Sequence, residues 1–376
     1  MKFGFYSCMS GMPWGGSEVL WYLVARRMQN QGHDVVVNFK HWPYTATQLE
    51  EIQNKGGKVS FREQPLVGMQ ARMEGFNRMI KRPASRENDL WFERERPDAV
   101  LFTLGYHSDQ ICPADRCHDA GIPYAINLQC ASSFFFITGN RLEEYRRWYR
   151  NAAKVYFVSK ENQDKLENNL AMRLDNAEII ANPFAMDYDA DPEYPSTDDG
   201  FKLAVVGRIH FQSKGQDIVV DTMRKERWRS RDLEVNFYGH DQGNMHQLED
   251  LIAMHGLGEK LHYQGYRNDV QEIWKENHGL LLPSRYEGAP LIVTETMLCN
   301  RMPITTNLGR NAELIDDNVS GFIAESATVN LIDEAMERAW EQRAQWREIG
   351  MMAGQHIRRR YPKDPVKDFT ELLLKL

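Results

Sequence analysis

What this chain has little of narrows the field before any motif is considered. No stretch approaches the ~20 uninterrupted apolar residues that a membrane-crossing helix requires. After Lys2 the chain runs straight into Phe3-Gly-Phe-Tyr-Ser, which has strand character and lacks the longer apolar run and cleavage site of a signal peptide. A soluble, cytoplasmic protein is the expectation, with peripheral contact at a membrane as an option. The cysteines Cys8, Cys112, Cys117, Cys130 and Cys299 are odd in number, scattered and without a C-x-x-C pair. Neither a disulfide framework nor a zinc site is suggested, and they read as reduced core thiols. Basic charge is also short. With 46 Lys and Arg against 53 Asp and Glu the net charge is -7, which argues against nucleic acid as the main partner. The G-x-G-x-x-G fingerprint of dinucleotide binding is missing.

What is present is an alternation of short β-branched or apolar runs with amphipathic helices, the βαβ pattern of a parallel sheet, in both halves of the chain. At 376 residues the chain exceeds the roughly 250–300 that one core serves, so two domains are expected. In the first half, Phe3–Ser7, Asp34–Phe39, Ala99–Thr103, Tyr124–Leu128 and Lys154–Val158 read as strands. Ser17 is the expected cap of a helix running from Glu18 to about Gln31, which Gly32 ends. An acidic, proline-bearing stretch follows Pro183 and has the composition of an exposed linker. The expected division is therefore an N-terminal domain over 1–185, a linker over 186–200, a C-terminal domain over 201–360 and a terminal helix over 361–376. In the second half the strands are Lys202–Val206, Glu234–Tyr238, Leu261–Gln264, Gly279–Leu282, Pro303–Thr306 and Gly321–Ala324. Phe369, Leu372, Leu373 and Leu376 of the last helix need a surface to cover.

Three places carry chemistry. Leu280-Leu-Leu-Pro-Ser-Arg-Tyr-Glu-Gly-Ala-Pro-Leu-Ile-Val-Thr-Glu reads as a buried strand, a polar loop and a helix with Pro290 in its first turn. Free N–H groups of Leu291 and Ile292, helped by the helix dipole, are suited to a phosphate. Glu287 and Glu295 frame that spot, and carboxylates suit sugar hydroxyls; the plainer reading is a solvated loop acid and a first-turn acid. In Val205-Val-Gly-Arg-Ile-His-Phe-Gln-Ser-Lys-Gly, Arg208 and Lys214 emerge at the carboxyl end of a strand, where ligands of α/β sheets bind. Two cations there suit a diphosphate, although surface charge is the usual fate of such residues. In Met12-Pro-Trp-Gly-Gly-Ser-Glu, Gly15 and Gly16 form a loop whose backbone a ligand can approach, or simply a tight connection.

The combination of Gly15-Gly16-Ser17-Glu18, Gly207-Arg208, Lys214-Gly215, Glu287-Gly288-Ala289-Pro290-Leu291 with Glu295, and Gly309–Leu314 before Asn318-Val-Ser-Gly321 resembles glycosyltransferase family 4. The resemblance covers nearly the whole chain and is strongest over 200–325. It implies a GT-B type α/β fold, two Rossmann-like doubly wound domains facing each other across a cleft. The implied activity is that of a retaining, hexosyltransferase-like glycosyltransferase that needs no metal. It would move a sugar from a nucleotide-diphosphate sugar to a glycan, lipid-linked or small-molecule acceptor, as in polysaccharide biosynthesis. No cofactor is implied beyond the nucleotide sugar as co-substrate. Carried over, the donor-binding set is Gly15, Gly16, Arg208, Lys214, Glu287, Gly288, Ala289, Pro290, Leu291 and Glu295. Arg208 and Lys214 would neutralise the leaving diphosphate, Glu287 would lie by the sugar and Glu295 by the ribose, with Glu287, Arg208 and Lys214 as the catalytic trio. The terminal helix would return to the first domain.

This sequence departs from the family in two ways. Arg208 and Lys214 are one residue further apart than the commonest spacing. Gln129 also ends Ile126-Asn-Leu-Gln where many members have a histidine. Gln129 and His107 are the candidate acceptor or sugar contacts, a plain loop histidine being the alternative for His107. Tyr263–Tyr266 are placed to meet the base. Asp189-Ala-Asp191 lies in the acidic stretch and reads as solvated loop, not as a metal motif. Residues 71–86 carry five cations against one acid among Met73, Phe76, Met79 and Ile80. They read either as a peripheral membrane contact serving a lipid-linked acceptor or as a solvated helix. Phe134-Phe-Phe136 reads as core or as acceptor-pocket lining. Competing functions are a nucleotide-sugar epimerase or sugar phosphorylase on the same fold, and a non-catalytic sugar- or nucleotide-binding protein.

Overall fold

A computed structural model describes residues 1–9, 11–62, 84–109, 111 and 113–376. Seven parallel strands form the first sheet: β1 (Lys2–Ser7), β2 (Asp34–Lys40), β3 (Lys58–Arg62), β4 (Ala99–Leu104), β5 (Tyr124–Leu128), β6 (Lys154–Phe157) and β7 (Ala177–Ile179). Their order is β3-β2-β1-β4-β5-β6-β7. The second sheet, also parallel, holds β8 (Phe201–Val206), β9 (Leu233–Tyr238), β10 (Leu261–Tyr263), β11 (Gly279–Leu282), β12 (Met302–Thr306) and β13 (Phe322–Ala324), in the order β10-β9-β8-β11-β12-β13. In each sheet the direction of winding reverses beside the first strand, at β1/β4 and at β8/β11. The carboxyl ends of strands at such a reversal are where an α/β sheet leaves a ligand crevice.

The two sheets belong to two compact units, Met1–Pro183 with Asp364–Leu376, and Phe184–Lys363. In the first unit, the helix Gly16–Asn30 lays Leu20, Trp21, Val24, Ala25 and Met28 against Phe3, Phe5, Val35 and Val37. Its start differs from the expected serine cap. Gly15 is the N-cap, and the Ser17 hydroxyl, already inside the helix, donates to the Met9 sulfur at 3.2 Å. Edge strands β3 and β7 have no counterpart among the expected strands. A sheet edge has fewer neighbours to pack against, so Lys-Val-Ser-Phe-Arg and a three-residue strand carry little apolar signal.

Residues 186–200 fall within the second unit; their acids are exposed, as the composition suggested, but the stretch is also tied to that unit at several points. The cause is Arg301, whose guanidinium is buried and must satisfy its donors on carbonyls. It donates to Trp274, Cys299, Pro192 and Glu193, and lies 4.7 Å from the centre of the Tyr194 ring. Tyr188 donates to the Arg358 carbonyl at 2.9 Å, and Asp191 accepts from Asn300 at 2.7 Å. Asp189 pairs with Lys363 at 2.6 Å. An acidic composition has here been used for specific docking.

The terminal helix Pro365–Leu373 belongs to the first unit, where Phe369 meets the Tyr156 ring edge-on at 4.9 Å. No helix among the described residues is long and apolar enough to cross a membrane. The basic stretch 71–86 lies outside the described residues up to 83, and its last three open a helix, Ala84–Glu95.

Asp364 both caps the terminal helix, accepting from the Lys367 amide at 2.8 Å, and accepts two 2.7 Å bonds from Arg27. Asp364→Ala should destabilise the first unit by about 1 kcal/mol, the usual worth of an N-cap. Asp364→Asn keeps the cap and should cost measurably less in a denaturant titration. Equal losses would mean that the ion pair, not the cap, carries the effect.

Candidate active site

At the β8/β11 reversal two loops leave adjacent strands and meet. The first runs from Gly207 through Arg208 into the single turn Phe211–Lys214 and then, after Gly215, into the helix Gln216–Met223. The second runs from Pro283 to Pro290 and enters the helix Leu291–Leu298. Arg285 staples them: its amide donates to the Ser213 carbonyl at 2.8 Å, and its guanidinium makes two 2.7 Å bonds to Asp217. One glycine makes this contact possible, and another lets the loop after β12 approach in turn. Gly215 has φ +69°, and a Cβ on it would lie inside contact distance of the Pro283 carbonyl oxygen. Gly309 has φ +59°, and a Cβ there would strike the Gly288 carbonyl. Only glycine combines that backbone with that approach.

The functional side chains converge on this junction. Lys214 Nζ lies 2.5 Å from Glu287 Oε1, with both side chains mostly buried. Ser284 donates to the same oxygen at 2.8 Å. Arg208 extends alongside and donates to Gln242 at 2.9 Å, while buried Gln216 holds the Arg208 carbonyl at 2.8 Å. Pro290 is the N-cap residue itself, with extended backbone and no side-chain cap, so the first amides of the helix have no acceptor within it. Cations, a carboxylate and open helix amides thus share one sheet edge. Asp217, Arg285, Ser284, Gln216 and Gln242 were not singled out in the sequence. Ser284 was within reach, three residues before Glu287; the Asp217–Arg285 pair joins positions too far apart along the chain to be matched by spacing.

Glu295 lies one turn inside the helix that Leu291 opens. Its carboxyl is buried, accepts the Ala185 amide at 3.1 Å and has its pKa raised by that burial. Tyr263 donates to the Gly239 carbonyl at 2.9 Å, and Tyr266 stacks on His240 with ring centres 3.9 Å apart, both at the carboxyl ends of β9 and β10.

In the first unit the two polar candidates turn out to be committed to the protein. His107 is fully buried; its Nδ1 accepts the Ser132 amide and its Nε2 donates to the Phe135 carbonyl at 2.8 Å. Burial lowers its pKa, so it stays a neutral structural imidazole with neither nitrogen left for a sugar. Gln129 donates to Asn127 at 2.9 Å and accepts from Asn182 at 2.8 Å, a buried amide ladder. Gly16 behaves differently: a Cβ there would meet no protein atom within 4 Å, so no neighbour in the protein explains the glycine. Phe134–Phe136 are neither core nor buried lining but exposed.

Below that glycine loop sits an acid that the sequence showed only as part of a motif. Glu18 is completely buried, with Oε2 accepting the Trp21 indole N–H at 2.7 Å and Oε1 without a well-formed partner. The hydroxyls of Ser7 and its cross-strand neighbour Thr103 are likewise buried and unsatisfied. Desolvation pushes the Glu18 pKa up to about 7, against the opposing pull of the Trp21 hydrogen bond and the Arg62 charge.

Two expectations follow. Below the ordinary glutamate pKa of 4.5 both folded and unfolded chains hold the Glu18 proton; between there and 7 the unfolded chain loses it first, so stability falls as pH rises. The loss reaches about 3 kcal/mol once both states are ionised. Glu18→Gln should therefore gain melting temperature over wild type progressively from about pH 4 to pH 8, and a gap that does not change with pH would contradict the buried charge. Gly215→Ala should cost at least roughly 1–3 kcal/mol from backbone strain alone. A denaturant midpoint equal to wild type would show that the two loops do not need this approach.

Residues 189–353 match the family described as glycosyl transferases group 1. Over 187 residues the chain is 27% identical to an uncharacterized glycosyltransferase of Methanocaldococcus jannaschii, covering 49% of this chain and 48% of that protein. Over 167 residues it is 25% identical to glycogen synthase of Pseudomonas syringae pv. tomato, covering 44% of this chain and 32% of that enzyme. The chain thus spans half or less of the length of these curated relatives. Among solved structures, Anabaena HepE in complex with UDP superposes with a TM-score of 0.77 at 17% identity, covering 100% of both chains. The fold is α/β of the GT-B type, two Rossmann-like units each built on a parallel sheet.

Proposed function

We propose that the protein is a glycosyltransferase that takes a sugar from a nucleotide-diphosphate sugar, with the diphosphate held at the β8/β11 edge of the second unit. The observation that carries this is the convergence of Arg208, Lys214, Glu287 and the uncapped helix start at Leu291 on one sheet-reversal crevice. The group 1 family match runs over the same unit. A departing nucleotide diphosphate leaves negative charge that must be met in place. Arg208, Lys214 and the Leu291 and Ile292 amides are the groups to meet it, by preorganised electrostatics rather than by a covalent step. Because these groups already supply positive charge, the reading needs no metal. Retention at the anomeric carbon rests on the resemblance to family 4.

The Lys214–Glu287 pair gives this site a specific mode of operation. Without a ligand each charge satisfies the other. An entering diphosphate competes for Lys214, which releases Glu287 to accept hydroxyls of the donor sugar. Glu295, turned toward Ala185, can serve the ribose only if that hydrogen bond is exchanged. Readings that require an imidazole beside the sugar gain nothing from His107, whose ring nitrogens are both occupied.

Because HepE is solved with UDP, and also with UDP-glucose, UDP is the first diphosphate to try, followed by GDP, ADP, dTDP and CDP. One of them should raise the melting temperature. Arg208→Ala or Lys214→Ala should weaken its binding by roughly 1.5–3 kcal/mol, the scale of a charge-assisted hydrogen bond. Glu287→Gln should reduce turnover while leaving diphosphate affinity equal or tighter, since it frees Lys214. Unchanged affinity in both cation variants would place the phosphates elsewhere.

A further inference from the structure

Three consecutive phenylalanines lie on the surface of the first unit. Phe134, Phe135 and Phe136 are 76%, 63% and 63% exposed, in the loop that follows β5. Scattered exposed apolar residues need no explanation, but a contiguous aromatic patch marks a contact surface. The backbone beneath it is held firmly. The Phe135 carbonyl accepts from buried His107 at 2.8 Å and from Asn169 at 2.7 Å, the Phe134 amide donates to Ser132 Oγ at 3.0 Å, and the Ile137 amide donates to Asn169 Oδ1 at 3.0 Å. Tyr106 meets the Phe135 ring edge-on at 6.1 Å. Two buried polar side chains are thus spent on fixing a loop whose own side chains point out.

We propose that this loop inserts into the interfacial region of an anionic lipid bilayer and docks the first unit on a membrane. The geometry favours lipid over a protein partner. Outside a helix, successive side chains point in different directions, so one rigid groove would not take all three rings, whereas a fluid medium accepts them in any orientation. Charge agrees. In the helix that follows, Asn140–Asn151, Arg146 pairs with Glu143 and Arg147 with Asp115, while Arg141 and Arg150 are exposed and have no carboxylate partner among the described residues. Aromatic rings beside arginines are the usual make-up of an interfacial anchor. The loop leaves the carboxyl end of β5, the end of this sheet at which ligands bind. Docking there brings that end to the lipid surface, which, on the transferase reading, suits an acceptor carried on a lipid.

The test is co-sedimentation with sucrose-loaded vesicles of phosphatidylcholine alone and of phosphatidylcholine with phosphatidylglycerol. Wild type is compared with a Phe134→Ser, Phe135→Ser, Phe136→Ser triple variant. Wild type should partition onto the anionic vesicles, and the triple variant should bind at least tenfold less. In addition, a Phe135→Trp variant should show a blue shift of the new indole's emission on vesicle addition, measured as the difference from wild type. Failure of wild type to bind, or equal binding by the triple variant, overturns the proposal. So does loss in the variant of a lipid-independent self-association seen by sedimentation velocity, which would make the patch a protein interface. Melting shifts with UDP, GDP, ADP, dTDP and CDP, measured on the same preparations, separate the two readings. If vesicle binding depends on the phenylalanines but no nucleotide diphosphate binds, the transferase reading fails and the membrane docking stands.

Discussion

The candidate site depends on one close approach of backbone to backbone. At Gly215 the chain passes so near the Pro283 carbonyl, and at Gly309 so near the Gly288 carbonyl, that neither place has room for a methyl group. The first contact brings the loop after β8 against the loop after β11, and the second brings the loop after β12 against it. Without them Lys214 and Glu287, far apart in sequence, would not share a hydrogen bond, and the staple between Arg285 and Asp217 would have nothing to join. A parallel sheet supplies the crevice through its topology; the glycines make it narrow enough for side chains from both walls to meet across it.

The narrowing has an electrostatic consequence. Lys214 and Glu287 are mostly shielded from water, so each needs the other, or a ligand group that accepts or donates as its partner does, to offset desolvation. A diphosphate can replace the carboxylate on Lys214, and hydroxyls can replace the ammonium on Glu287. The resting ion pair therefore stores both halves of the proposed donor contact in mutually satisfied form. Ser284 and Gln216 fix the geometry around it without carrying charge.

The first unit uses its buried polar groups differently. His107, Asn162 and Asn169 spend their hydrogen bonds on loop backbone, and Gln129 spends its own on the amides of Asn127 and Asn182. What they make rigid is the loop after β5, with its three phenylalanines turned outward. Glu18 is the exception, a carboxyl under the Gly15–Gly16 loop that burial leaves only partly satisfied. Its carboxyl has no ion-pair partner among the described residues, whereas Lys214 and Glu287 have each other.

How much could be read from the sequence follows from the range of the forces involved. Apolar runs and helix punctuation are local, so most strands of both sheets, the α/β class and the terminal helix that needed cover were legible. Arg208, Lys214 and Glu287 could be picked out because each follows a strand end closely. Edge strands β3 and β7 were not, since a sheet edge demands little apolar sequence. The acidic stretch 186–200 exposes its acids as composition indicated, but its docking was not legible, since that depends on Arg301, about a hundred residues away, needing carbonyl acceptors. The same holds for His107, Gln129 and Glu295. Sequence identifies their chemistry, but only the tertiary fold decides whether a hydrogen-bonding group faces a ligand or has already been used by a neighbour. Phe134–Phe136 show the converse, for apolar residues read as core or as acceptor-pocket lining are held exposed by a backbone fixed from beneath. Local pattern determined the elements and the candidate charges; long-range hydrogen bonding and steric contact decided which of them meet.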